Sequence, residues 1–168
     1  MAAFLFKALL VAQLAQSQVP SPESLAVLTA RVARDSGDAA AWLALGRAQL
    51  GAAAAYHTHA GPPDTAWARN TIASAEAAFG RAAALRPGLG LGDSAATFRV
   101  LARADLAALA WELNDTVAAD SVWRALPGGV RLPPVLEEMA ENFLRACPQH
   151  AVLLTDNEIV TGATEYLR

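Results

Sequence analysis

The sequence predicts an all-α protein, built as a short stack of antiparallel helix hairpins. Three observations carry that expectation. At 54% hydrophobic and 17% charged, the chain is apolar, with alanine supplying much of the excess. Alanine loses no side-chain entropy in a helix and lets neighbouring helices come close. Apolar and aromatic residues also recur at three- and four-residue spacing along most of the length. Finally, clusters of Gly, Pro, Asp and Asn cut the chain into helix-length pieces.

The first helix is expected to open at Ser21-Pro22-Glu23-Ser24, with proline near its first turn. Leu25, Leu28 and Val32 give it one apolar face through about Arg34. Asp35-Ser36-Gly37-Asp38 ends it and caps the next, which runs from Ala39 through Trp42, Leu45 and Leu50 towards Tyr56. Ala60-Gly61-Pro62-Pro63-Asp64 is a break followed by a cap. The helix after it starts near Thr65 and carries Trp67, Thr71, Ala75, Phe79 and Ala82 before Arg86-Pro87.

Gly88, Gly90 and Gly92 read as a flexible joint, with Asp93-Ser94 capping a helix whose stripe is Phe98, Leu101, Leu106, Leu109 and Leu113. Asn114-Asp115 turns the chain into a helix bearing Ala119 and Trp123, and Pro127-Gly128-Gly129 closes it. Pro133-Pro134 opens another helix, on which Val135, Met139 and Phe143 line one face. A short extended segment is expected near 151–155, from Ala151-Val152-Leu153-Leu154. Thr155-Asp156-Asn157-Glu158 then has the form of a capping box for a last short helix, weakened by Gly162.

Three regions follow: residues 1–17, a helical domain over 18–146, and a C-terminal segment over 147–168. In the first, Lys7 precedes a short apolar run, and Ala15-Gln16-Ser17 offers small residues for cleavage. This is the layout of a secretory signal peptide, and the run is shorter than the ~20 residues a spanning helix needs. The alternative is a retained apolar helix that packs on the domain or makes a membrane-surface contact. The expected location is exported, periplasmic or membrane-associated on the non-cytoplasmic side.

Between about Ser24 and Gly129 the chain resembles the tetratricopeptide-repeat family. Trp42-Leu43-Ala44-Leu45-Gly46 matches the start of a repeat's first helix, and Ala75, Phe79, Ala82 and Pro87 match its second. Leu106, Ala107, Ala110, Ala119 and Trp123 look like a second, degenerate repeat. In a repeat of about 34 residues the two matched halves stand too far apart, by an insertion of roughly 17 residues. Helical spacing holds on both sides of the break, so the insertion reads as extra turns on both helices, giving a hairpin that projects beyond its neighbours. Gln49 stands where the family has tyrosine, and Arg131 where it has a closing proline. The resemblance implies a stack of helix pairs whose concave face holds peptides or partner proteins, without a catalytic role. Cys147 to Asp156 is also similar, over a short overlap, to a segment in soluble tails of large bacterial glycosyltransferase-like membrane proteins.

Net charge is −3 and the arginines are scattered, so nucleic acid is not an expected partner. The single cysteine, Cys147, excludes an internal disulfide and a multi-cysteine metal site. His57 and His59 lie two apart, not at the four-residue spacing that puts two histidines on one metal. Solvated turn residues are the simpler account of both. Gly88, Gly90 and Gly92 follow a helix and lack a Lys-Ser/Thr, so they are no phosphate loop. No catalytic, cofactor or metal residue is assigned, and no cofactor is expected.

The residues expected to touch a partner are Tyr56, His57, His59 and Trp67, on the hairpin around 50–70. Trp67 and Tyr56 are typical of interface anchors, the alternative being that they pack together and close the hairpin. The expected function is a non-enzymatic protein-interaction module that uses the repeat groove or this hairpin. The runner-up is an accessory subunit of a membrane-associated assembly, with residues 1–17 retained.

Overall fold

The computed structural model describes residues 22–54, 64–88, 90–124, 132–148 and 158–167. Among them are seven helices and no strand. These are α1 (Pro22–Arg34), α2 (Ala39–Ala54), α3 (Thr65–Leu85), α4 (Gly90–Glu112), α5 (Thr116–Arg124), α6 (Pro134–Ala146) and α7 (Glu158–Leu167). Each of α1 to α4 packs on the helix that follows it, α7 packs on α4, and α6 packs on α7. The all-α stack of antiparallel hairpins is therefore present. Residues 1–17, Tyr56, His57, His59 and the segment 151–155 lie outside the described residues.

Side-chain caps set the helix starts. Asp38 accepts the Ala41 N–H at 2.9 Å and also binds Arg31 of α1 at 2.7 Å. One carboxylate thus satisfies an orphan donor of α2 and ties α1 to it. Asp64 accepts the Trp67 N–H at 2.8 Å, and Asp115 accepts that of Ala118 at 2.9 Å. Asn114 takes a left-handed conformation (φ 58°) to make the tight α4–α5 turn.

Leu25, Leu28 and Val32 of α1 pack with Trp42, Ala41 and Leu45 of α2, as their spacing predicts. Ala75, Phe79 and Ala82 are fully buried at the heart of α3. Trp42 and Trp123 are only half-buried, and the Trp42 indole N–H donates to the Ser36 carbonyl at 3.1 Å.

Three expectations need correcting. The glycine-rich joint is largely helix, because α4 begins at Gly90 and runs to Glu112, 23 residues. Gly88 makes the turn in a left-handed conformation (φ 69°). Gly92 is buried where a Cβ would stand 2.0 Å from the Arg86 carbonyl oxygen, so it is a close-approach residue and not a hinge. Second, the lengthened α3 does not stand clear of its neighbours over its described part. Ala68 and Ile72, ahead of Ala75, are buried in one cluster with Leu109. The long α4 covers them.

Third, Leu113 is 43% exposed at the end of its helix, whereas Val100 of α4, outside the expected stripe, is buried. Val135, Met139 and Phe143 share one face of α6, as their spacing predicts, and that face is turned outward. Leu136 and Ala140, with Leu132 just before the helix, pack inward on Val100 and Ala163. Gly162 lets α7 lie close on α4, since a Cβ there would be 3.3 Å from Leu101.

A polar pin crosses this interior. Glu76 of α3 accepts from Arg103 at 2.9 Å and from Arg99 at 3.4 Å, both on α4. Arg103 also donates to the Val122 carbonyl in the last turn of α5. That carbonyl is one of the helix-end acceptors with no partner within α5. Arg103 thus joins three helices while its buried charge is paired and hydrogen-bonded, as burial requires.

Candidate partner-binding groove

A cleft of about 530 Å³ opens between α2 and α4, with α3 as its floor. Leu50 and Ala54 line it from α2, Ala68 and Ile72 from α3, and Phe98, Leu101, Ala108 and Leu109 from α4. It is therefore apolar inside. Its charged groups are Arg47 on one wall and Asp105 and Glu112 on the other.

These residues reach the cleft for local reasons. Arg47, Leu50 and Ala54 follow three- and four-residue spacing along α2, so they share a face. Phe98, Leu101, Asp105, Ala108 and Glu112 do the same along α4. The Arg47 guanidinium lies 5.2 Å from the Phe98 ring centroid. Phe98 stacks on Phe79 at 5.4 Å with an interplanar angle of 21°. A cation is thereby held over an aromatic floor that is itself anchored in the core.

Among the expected contact residues, the structure describes only Trp67. It is 42% exposed in the first turn of α3. The residue after it, Ala68, lines the groove, while Trp67 itself does not. Trp67 keeps its exposure and its place in the lengthened part of the hairpin, but it borders the cleft without forming it. Arg47, Asp105 and Glu112 were not singled out from the sequence, and Phe98 was read only as part of the apolar stripe of its helix. The spacing of each set was visible, but the pairing of α2 with α4 across α3 was not.

Gln49 faces away from the groove, in a crevice between α2 and α3 with Trp42, Ser74 and Arg81. Its Oε1 is buried and has no hydrogen-bond partner among the described residues. Among the described residues no group of three His, Cys, Asp or Glu is placed to hold a metal ion, and no helix is long and apolar enough to cross a membrane.

Compared with protein-family models, curated proteins and solved structures, the chain matches none.

Proposed function

We propose that this chain is a tetratricopeptide-like, non-enzymatic interaction module that holds a segment of a partner protein in the groove between α2 and α4. The observation that carries this reading is the groove itself, an apolar cleft in which Arg47 of α2 reaches over Phe98 of α4, with carboxylates further along the α4 wall. Apolar clefts with a few placed polar groups are the usual form of binding sites. The repeat-like assignment is supported by the contact between its two half-signatures. A Cβ on Gly46 would stand 2.6 Å from the Phe79 ring, so the two helices meet there as closely as a glycine allows.

Export through residues 1–17 belongs to the same proposal, placing the module on the non-cytoplasmic side. The second reading, an accessory subunit of a membrane-associated assembly, is favoured by the apolar side chains left open at the α4–α5 end. Trp111 is 60% and Val117 79% exposed there. Intact-mass measurement of the native protein separates the two, because cleavage after Ser17 is incompatible with a retained anchor.

The groove is tested by native pull-down with the full chain and with Ala54→Arg and Ala108→Arg. Both alanines line the cleft and are exposed, so a long side chain blocks it without disturbing the core. The partner captured by the wild type is expected to be lost by both variants at unchanged helix content. Capture that survives both, but is lost on Trp67→Ala, would move the interface to the hairpin end.

A further inference from the structure

The groove between α2 and α4 changes sign along its length. Arg47 stands at one end, exposed and level with Phe98, and makes no ion pair among the described residues. Asp105 and Glu112 follow on the α4 wall, about two and about four helical turns beyond Phe98, or ~10 Å and ~21 Å along the axis. Glu112 is also the last residue of α4, so its carboxylate adds to the negative end of that helix. Between the two ends the lining is apolar, from Leu50, Ile72 and Leu101.

We propose that this groove takes a bipolar segment of a partner protein. Such a segment has apolar residues in its middle, a carboxylate at one end, and a lysine or arginine at the other, about 10–20 Å away. The inference rests on the reading of the groove as the partner site, and adds the chemistry of what it holds.

Arg47 selects the carboxylate. Its planar fork can hold one by two parallel hydrogen bonds, and the Phe98 ring keeps the guanidinium over the cleft. Asp105 and Glu112 select the cation, since a second carboxylate on that wall would meet like charge. The apolar lining sharpens both choices, because charges act more strongly between low-dielectric walls than in open water. A wholly acidic segment therefore fits one end and is repelled at the other, and a wholly basic segment the reverse.

The test titrates the full chain with three synthetic peptides that have blocked termini and share one leucine-rich middle. The first carries lysine at one end and glutamate at the other, the second lysine at both, the third glutamate at both. The mixed peptide should bind about tenfold more tightly than either of the others at low salt, a difference of ~1.4 kcal/mol. That advantage should shrink towards 1 M salt, where the screening length is ~3 Å. Ala108→Arg should abolish binding of all three, and Arg47→Glu should transfer the preference to the lysine peptide. Should Arg47→Glu lower helix content, Arg47→Gln decides, by bringing the lysine peptide level with the mixed one.

Equal binding of the three peptides, or binding of none, overturns the proposal. So does a preference that survives both Arg47 variants. Equal binding that Ala108→Arg abolishes removes the polarity alone and leaves the groove as a partner site. Capture of a native partner that survives both Ala54→Arg and Ala108→Arg removes the groove itself.

Discussion

Gly46 lies directly against the ring of Phe79, and a Cβ on Gly46 would stand 2.6 Å from Phe79 Cε1 and 2.7 Å from Cδ1. The ring is fully buried and stacks on Phe98, over which Arg47 places its guanidinium. The contacts therefore form a closed circuit, from α2 to α3 to α4 and back to the residue after Gly46. Gly46→Ala should destabilise the fold by about 1–3 kcal/mol, because the added methyl cannot be accommodated without moving a packed ring. Phe79→Leu should cost less in the Gly46→Ala background than alone. A double-mutant cycle in urea measures that coupling, and an additive result would mean the two residues do not touch.

Ile72 tests whether the lengthened hairpin is covered. It lies in the part of α3 ahead of Ala75, where the sequence alone suggests a projecting arm, yet it is 5% exposed and clusters with Leu109. Ile72→Ala should cost about 2–4 kcal/mol in chemical denaturation, as for a core residue. A loss of under about 0.5 kcal/mol would be that of a surface position and would restore the arm.

Arg103 and Arg99 share one acceptor but are not equivalent. Arg103 sits at 2.9 Å from Glu76 and also serves the Val122 carbonyl, whereas Arg99 stands at 3.4 Å. Arg103→Met should lower stability by about 2–4 kcal/mol, since it strands a carboxylate and a helix-end carbonyl in a poorly hydrated place. Arg99→Met should cost about 1 kcal/mol or less. Equal losses in thermal melts would contradict the three-helix pin.

Asp38 gives the fold a defined acid limb. The Ala41 N–H, followed by the Arg31 side chain, holds its carboxyl below the ordinary aspartate value. A folded pKa below the unfolded one stabilises above the unfolded pKa, and that contribution disappears as pH falls through the folded value. Asp38→Asn should therefore melt below the wild type at pH 7, and the gap should close below about pH 4. A gap that is constant down to pH 2 would show that charge at this position contributes nothing.

Local features were the most legible in the sequence. Asp38 and Asp64 read as caps and act as caps, and Ala75, Phe79 and Ala82 read as core and are buried. Periodicity states which residues share a face, but not which face turns inward. Val135, Met139 and Phe143 share a face that α6 presents outward. Gly90 and Gly92 looked like a joint because glycine weakens helices in general. Tertiary packing reverses that at Gly92, which lies where the helix start touches the Arg86 carbonyl.

The groove was hardest to see, since Arg47 and Phe98 meet only after α3 has been laid between their helices. Glu76 and Arg103, 27 residues apart, are joined by the same long-range packing.

The central claim is that Trp42–Gly46 of α2 and Ala75–Ala82 of α3 close into one hairpin, and proton NMR on the intact chain tests it directly. The account predicts a strong nuclear Overhauser effect between the Gly46 α-protons and the Phe79 ring, with those α-protons shifted by the ring current. Gly46 α-protons at ordinary shifts, with no Overhauser effect to Phe79, would contradict it.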